Sequence, residues 1–236
     1  MLINFFRGGF KSQDFIMLIY FIIIWCITLT IHECAHGYTA YKMGDPTAKN
    51  FGRLTINPVK HIDPIGLIMI LFIGFGWAKP VPINTRYFRN PRKGMAISAA
   101  AGPVSNILMA ILGIIIYRFI WLIILKGGFY GFEYGYMSIN PVAMNALDFF
   151  SYFAMLNVWF AIFNLIPIPP LDGSRIVTYF LPYKWGYYYN YVERYGFLIL
   201  FIGLWTGILS KPLNFFIEII LNIIIRILNL LPFILL

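Results

Sequence analysis

The stretch from Phe15 to His36, FIMLIYFIIIWCITLTIHECAH, decides how this chain folds. Residues 15–31 carry no charge, and they run directly into His32-Glu33-Cys34-Ala35-His36. An apolar run of this length predicts a helix that lies in a lipid bilayer. Two histidines four residues apart on a helix lie on one face, so both imidazoles can bind a single metal ion.

The form of this motif, H-E-x-x-H, predicts zinc and hydrolysis. Neutral imidazole nitrogens bind zinc at ~2.0–2.1 Å. Glu33 follows the first ligand, from where its carboxylate can take a proton from the attacking water. Ionisable residues inside a bilayer cost on the order of 2.5–3.5 kcal/mol each, and a metal ion is the partner that offsets this cost. We predict His32 and His36 as ligands of one Zn²⁺ per chain and Glu33 as the general base.

The composition extends the membrane interpretation to the whole chain. Its 236 residues are 60% hydrophobic and 11% charged, with a mean hydropathy of +0.77, whereas a soluble domain is about 25% charged. We expect an all-α polytopic membrane protein, a bundle of about five or six membrane helices. We expect one membrane-embedded domain over residues 1–236, with a catalytic core at about 14–181 and C-terminal helices at about 185–236.

The hydropathy pattern predicts where the helices lie. The first helix runs from residue 14 to about residue 43 and ends at Gly44-Asp45-Pro46, because proline cannot continue a helix. A Gly- and Tyr-rich loop is expected at residues 126–140. Further helices are expected at residues 94–125, 141–165, 175–181, 185–209 and 212–231.

The segment between the first two long helices is expected to differ from a full span. Residues 64–77 are apolar but only 14 residues long, which suits a re-entrant segment. Pro80 and Pro82 restrict residues 78–84 to an extended, edge-like conformation, and residues 53–56 are also compatible with a strand. We expect the extended stretch to hold substrate as an added strand.

The distribution of charge indicates orientation and excludes a nucleic-acid partner. The net charge is +9, but the cations form no single face. Short cytoplasmic loops accumulate Lys and Arg, so a basic cluster before the second long helix predicts the cytoplasmic membrane edge. This cluster consists of Lys79, Arg86, Arg89, Arg92 and Lys93.

The topology depends on residues 64–77. If they re-enter, residues 44–94 lie on the cytoplasmic side and the N-terminus lies outside. If they span, the N-terminus lies inside, which Arg7 and Lys11 favour. No small-residue cleavage site follows the N-terminal apolar run, so we expect no removed signal peptide.

A catalytic zinc site normally has three protein ligands, so a third must come from elsewhere in the chain. Asp172 ranks first on chemical grounds, because it follows a Pro-rich break and precedes Gly173. Irregular backbone at membrane depth is tolerated only where it lines protein or a wet cavity. His61 is the only other histidine, and it ranks second.

Five ordered motifs between about residues 30 and 175 resemble one family. They are similar to the site-2 proteases of peptidase family M50, and most similar to the short prokaryotic branch without PDZ-like or CBS-like domains. The motifs are His32-Glu33-x-x-His36, Asn57-Pro58-x-x-His61, the stretch from Gly76 to Asn84, Ala101-Gly102-Pro103-x-x-Asn106, and Asn164-Leu165-Ile166-Pro167-x-Pro169-Pro170-Leu171-Asp172-Gly173.

The resemblance implies a polytopic zinc protease that cleaves transmembrane protein substrates. It implies an integral protein of a prokaryotic cell membrane, with the active site toward the cytoplasmic side. It also implies that Asp172 is the third zinc ligand. Since no appended domain is recognised, substrate selection is expected to come from partners or from the membrane core itself.

Weaker candidates surround this site. His61 is either a hydrogen bonder behind the ligands or on the substrate side, or an anchor for its loop. Asn164 and Pro170 resemble family positions that orient bound peptide, and the alternative is a polar cluster that ends a helix. Asn106 is either a hydrogen-bond donor toward the site or a contact between helices. A small-residue face is expected to allow close helix packing: Ala96, Ser98, Ala99, Ala100, Ala101 and Gly102.

Two other classes of function compete with a protease. One is a membrane metal transporter with His32, His36 and Asp172 as a transit site, and the other is a non-catalytic zinc-binding membrane scaffold. Glu33 argues against both, because neither a transit site nor a structural site needs a base beside its ligand.

Overall fold

The computed structural model describes residues 12–73, 76–133 and 136–229. Arg7 and Lys11 lie outside this part of the chain. Within it, the helices are α1 (Ser12–Lys42), α2 (Thr47–Asn50), α3 (Pro64–Ile73), α4 (Pro91–Gly127), α5 (Pro141–Asn164), α6 (Asp172–Phe180), α7 (Tyr183–Trp205) and α8 (Ser210–Asn229). A hairpin of β1 (Tyr130–Glu133) and β2 (Tyr136–Ile139) joins α4 to α5.

The predicted class, an all-α polytopic membrane protein, is confirmed. Among the described residues, four helices are long and apolar enough to cross a bilayer. They are Phe15–Lys42 in α1, Pro91–Gly127, Pro141–Asn164 and Ser210–Asn229. α7 is also long, but its first half carries the Tyr-rich stretch and charged residues. The protein is therefore integral to a membrane.

The helix α4 lies at the centre of the bundle, in contact with α1, α5 and α6. Its start is fixed by Asn90, whose side chain accepts a hydrogen bond from the Lys93 N–H, and its end by Gly128 in a left-handed conformation (φ 69°). Small buried residues such as Ala99 and Ala110 let neighbouring helices approach closely. The predicted small-residue face is thus part of the central packing.

The main apolar core joins both halves of the chain. Val158 of α5 is fully buried, and it packs in one cluster with Ala110 of α4, Leu200 of α7 and Leu213 of α8. A second, smaller cluster contains Trp25 and Leu29 of α1 with Ile70 of α3. The C-terminal helices therefore share a core with the helices of the predicted catalytic part.

The described part of the apolar segment 64–77 is too short to span a bilayer. Its helix α3 has ten residues, a length of about 15 Å. Ile62 pairs with Ala78 in an antiparallel bridge, and the Lys79 N–H donates to the His61 carbonyl at 2.9 Å. The residues on either side of the segment are therefore in contact, which favours re-entry over a span.

Two short elements differ from the sequence-based expectation. The loop expected over residues 126–140 contains the β1–β2 hairpin, in which Tyr130 faces Ile139. Its aromatic residues favour extended backbone, whereas its composition of glycine and tyrosine had predicted only a loop. The strand-compatible run at residues 53–56 is bent instead. Instead of pairing with a strand, this run makes side-chain hydrogen bonds. The Arg53 side chain donates to the Lys79 carbonyl, and the Thr55 carbonyl accepts from the His61 side chain.

The helix α6 begins at Asp172, three residues before its predicted start at residue 175. Leu171 precedes it in an extended conformation, and an acidic residue in the first turn interacts favourably with the helix dipole. α7 ends at Trp205, four residues before its predicted end, because the chain turns there before α8. The start of α7 and both ends of α8 lie two residues from their predicted bounds, which is the usual uncertainty at helix ends.

Candidate active site

Three predicted ligand atoms converge on one point. His32 Nε2 lies 3.0 Å from His36 Nε2 and 3.1 Å from Asp172 Oδ2, and His36 Nε2 lies 3.3 Å from the same oxygen. Ligand atoms about 2.0–2.1 Å from a tetrahedral zinc ion are about 3.3 Å apart. The triangle therefore has the size that zinc requires.

The hydrogen bonds on the far side of each imidazole show which nitrogen faces this triangle. His36 Nδ1 lies 2.8 Å from the Ser98 carbonyl oxygen, which can only accept, so Nδ1 carries the proton. His32 Nδ1 lies 2.6 Å from Asn106 Oδ1, and we assign the proton there to Nδ1 as well. Both Nε2 atoms then present lone pairs to the centre, as zinc-binding histidines do.

The carboxylate of Asp172 completes a set of acceptors. Its Oδ2 atom is buried and has no hydrogen-bond partner among the described residues. Three lone-pair donors 3.0–3.3 Å apart repel one another unless a cation lies among them. The donor set therefore fits a zinc ion.

Two glycines make room for this arrangement. A Cβ atom on Gly102 of α4 would lie 2.5 Å from the Cε1 atoms of both His32 and His36. A Cβ atom on Gly173 would lie 2.2 Å from the Leu165 carbonyl oxygen, where the start of α6 packs on the end of α5. Gly102 thus serves the metal site as well as helix packing, and Gly173 allows Asp172 to reach it.

Glu33 is held from the opposite side by the extended segment that follows α3. Its Oε2 atom accepts a hydrogen bond from the Val81 backbone N–H at 2.8 Å. Gly37, one residue after His36, lets Val81 pack directly against α1. Asp45 is completely buried and fixes the far end of the same segment, since its Oδ2 accepts from the Asn84 N–H at 2.7 Å.

The donor set lies in a largely apolar cleft of about 1180 Å³. Trp77, Phe160 and Leu200 contribute apolar walls, and the three predicted ligands and Glu33 are among its lining residues. Trp77 also meets Phe197 of α7 edge to face, with ring centroids 6.0 Å apart. A long apolar cleft with a few convergent polar groups is typical of a site for a hydrophobic ligand.

The weaker candidates fall in different places. Asn164 and Pro170 line the cleft, and the Asn164 amide donates to the Phe160 carbonyl at 3.0 Å. His61 is fully buried and is not among the residues that line the cleft. Its Nε2 donates to the Thr55 carbonyl at 2.8 Å. Asn106 contacts His32 directly, as given above.

Sequence reasoning missed three groups that touch the site residues. The Val81 N–H is a backbone group and leaves no sequence signal. Ser98 was assigned to packing only, but its carbonyl accepts from His36 and its hydroxyl donates to the His36 carbonyl at 2.9 Å. Asn157 makes no hydrogen bond to a predicted ligand, but it accepts one from Asn106. Its signal was available, because an amide inside an apolar membrane helix needs a partner.

A helical membrane bundle with a zinc-type donor set, an adjacent carboxylate and an apolar cleft defines a membrane-embedded zinc metalloprotease. The family model described as Peptidase family M50 matches residues 20–203, and this chain belongs to that family. The predicted family, zinc cofactor and protease activity are therefore confirmed.

Two relatives bear the name "Putative zinc metalloprotease". YwhC of Bacillus subtilis (strain 168) is 41% identical over 183 residues, which is 78% of each chain. Rip2 of Mycolicibacterium smegmatis is 26% identical over 193 residues, covering 79% of this chain and 67% of Rip2. No solved structure matches the chain.

Proposed function

We propose that this protein hydrolyses peptide bonds within or beside transmembrane segments of other membrane proteins. His32, His36 and Asp172 are the zinc ligands in this proposal, and Glu33 is the general base. The observation that carries the proposal is the convergence of three lone-pair donors within 3.3 Å beside Glu33, in an apolar cleft among membrane helices.

Zinc, when bound, supplies Lewis-acid activation of water and of the scissile carbonyl. Glu33 takes the proton of the attacking water and passes it to the leaving amine. The Val81 N–H takes one acceptor position of Glu33 Oε2, and we propose that the other carboxylate oxygen receives the proton. The hydrogen bond also keeps the carboxylate from rotating away from the cleft.

The substrate is proposed to enter the cleft as a locally unwound segment, since helical peptide bonds are already hydrogen-bonded and shielded. The extended backbone of residues 78–84 beside Glu33 supports pairing with such a segment. Pro80 and Pro82 lack N–H groups, so their edge of this segment offers only carbonyl acceptors.

Asn164 and Pro170 are proposed to orient this peptide. The Asn164 NH₂ group is engaged by the Phe160 carbonyl, which leaves its Oδ1 to accept from a substrate N–H. His61 is proposed to anchor its loop through Thr55 rather than to contact substrate. Asn106 is proposed to hold the His32 ring.

The orientation that we propose places the active site toward the cytoplasmic side of a prokaryotic cell membrane. Re-entry of residues 64–77 supports the proposal that the chain between α1 and α4 begins and ends on one side of the membrane. That stretch and the start of α4 carry the basic cluster of Lys79, Arg86, Arg89, Arg92 and Lys93, which is typical of cytoplasmic loops. The shared core of α4, α5, α7 and α8 supports one domain for the whole chain.

The variant Glu33→Gln tests the proposed function. It replaces the base by an amide of the same shape and leaves the three zinc ligands in place. We expect zinc binding within a few-fold of the unsubstituted protein and loss of cleavage of a transmembrane reporter reconstituted in liposomes. Cleavage at an unchanged rate would show that Glu33 is not the base. No cleavage by the unsubstituted protein would favour the non-catalytic scaffold, and zinc flux into sealed liposomes would favour the transporter.

A further inference from the structure

We propose that Asn157 of α5 is a positioning residue for the zinc site, which it serves by fixing the orientation of the Asn106 amide and thereby the ring proton of His32. This inference rests on the proposed role of His32 as a zinc ligand. Asn157 touches neither the ligand set nor the cleft; it acts through Asn106.

The amide of Asn157 has only one orientation that satisfies its surroundings. Its Nδ2 donates to the Phe153 carbonyl oxygen one turn earlier, at 2.9 Å. A carbonyl oxygen can only accept, so the NH₂ group must face Phe153. Asn157 Oδ1 then faces α4, where it accepts from Asn106 Nδ2 at 3.0 Å.

The amide of Asn106 is oriented in turn. Its NH₂ group also lies 3.4 Å from the Thr28 carbonyl oxygen, so both of its neighbours on that side are acceptors. Asn106 Oδ1 therefore faces His32 Nδ1 at 2.6 Å and must accept from it. The proton of the His32 ring is thereby placed on Nδ1, and the Nε2 lone pair faces the metal site.

The opposite orientation of Asn106 would have a direct chemical effect. An NH₂ group facing His32 Nδ1 would favour the tautomer with the proton on Nε2. That proton would occupy the direction in which a metal ion binds. The acceptor that Asn157 provides thus selects the metal-binding tautomer.

The surroundings make this selection strong. Asn106 and Asn157 are both completely buried, and His32 is 3% exposed. Inside the bundle no water replaces a lost amide partner, so an unsatisfied donor costs about 1–3 kcal/mol. The contacts also join three membrane helices, since His32 lies on α1, Asn106 on α4 and Asn157 on α5.

A purely structural pair of amides is the alternative, and zinc affinity separates the two. Asn157→Leu keeps a similar volume but removes the acceptor for Asn106. We expect its zinc affinity, measured by competition with a chelator, to fall by about 10- to 100-fold, the usual effect of losing a group behind a metal ligand. The visible absorption of the Co²⁺-loaded protein should also change, because it reports the ligand geometry.

Two further variants keep the test decisive. Asn157→Asp, in its neutral form, can donate to the Phe153 carbonyl and accept from Asn106, so it should restore most of the zinc affinity. If Asn157→Leu does not fold, Asn157→Ser should show the same loss of affinity, because its short hydroxyl bonds back to its own helix.

Val158→Ala is the matched control. Val158 is the neighbouring residue and is completely buried, so this variant should lower stability and leave zinc affinity unchanged. If Asn157→Leu binds zinc as tightly as the unsubstituted protein and loses only stability, the inference is wrong. If instead His32→Ala binds zinc normally, the proposed zinc site itself is wrong.

Discussion

The Val81 backbone N–H lies 2.8 Å from Glu33 Oε2, so a non-helical segment holds the residue that we propose as general base. Two prolines flank Val81, and they hold the local backbone extended. Asp45 fixes the far end of the same segment through the Asn84 N–H. The position of the Glu33 carboxylate is thus set by a segment far from it in sequence.

Val81→Pro should reduce catalysis without affecting the metal. The substitution removes the N–H that holds Glu33, and the extended backbone accommodates proline. A hydrogen bond to a charged group contributes about 1.5–3 kcal/mol, so we expect kcat to fall roughly 10- to 100-fold. Steady-state cleavage of a reporter and zinc stoichiometry measure the two effects. Val81→Ala, which keeps the N–H, is the control and should retain most activity; equal rates for both variants would contradict the prediction.

Gly102→Ala should disrupt the metal site. The new Cβ atom would lie 2.5 Å from the Cε1 atoms of both His32 and His36, so the two imidazole rings must shift away from α4. We expect zinc affinity to fall by at least about 100-fold, as measured by chelator competition. Gly113→Ala on the same helix is a matched control, because its Cβ would meet a Phe153 ring carbon at 2.9 Å, away from the ligands. Equal zinc affinity in both variants would refute the prediction.

Asp172→Asn should remove the dependence of stability on zinc. A ligand that binds only the folded state stabilises it, by about 4 kcal/mol at a thousand times its Kd. Adding a chelator should therefore lower the Tm of the unsubstituted protein markedly. The Tm of Asp172→Asn should barely respond, because the variant lacks the carboxylate charge. A chelator response of equal size in both proteins would argue against Asp172 as a ligand.

His61→Leu should affect stability and spare the metal. The variant loses the hydrogen bond from Nε2 to the Thr55 carbonyl, which contributes about 0.5–1.5 kcal/mol. We expect a lower midpoint of unfolding and an unchanged content of one zinc per chain by elemental analysis. His36→Leu is the comparison, and it should lose the metal. Loss of zinc from His61→Leu would make His61 a ligand.

Labelling of single cysteines should test the proposed orientation. Lys60 lies before α3 and the β1–β2 hairpin lies after α4, on opposite sides of one full span. In inverted vesicles, a membrane-impermeant thiol reagent should label Lys60→Cys and spare Gly131→Cys, with Cys26 and Cys34 replaced by serine. The reverse pattern would place the site on the other side of the membrane.

The parts of the fold that depend on local chemistry could be predicted from the sequence. The spacing of His32 and His36 brings them together on any helix, and the apolar runs set the lengths of the membrane helices. Spacing alone could not place Asp172 beside the two histidines, because its position depends on the turn between α5 and α6 that Gly173 permits. The family resemblance supplied what spacing alone left open between Asp172 and His61.

The remaining contacts depend on how separate helices pack. Asn157 faces Asn106 because α4 and α5 meet at that depth, and no local pattern specifies this register. The backbone N–H of Val81 has no side-chain signature at all. The β1–β2 hairpin was missed because glycine and tyrosine occur both in loops and in short strands.

The short helix α3 links the activity of this protein to the lipid around it. With ten residues, it reaches across roughly one leaflet of a bilayer whose hydrocarbon core is about 30 Å thick. Next to α1, lipid of the other leaflet must cover the end of α3, so the bilayer must thin locally. The free-energy cost of this thinning grows with bilayer thickness. We therefore expect the rate of cleavage to depend on acyl-chain length in reconstituted membranes, so that lipid composition becomes a means of controlling the enzyme.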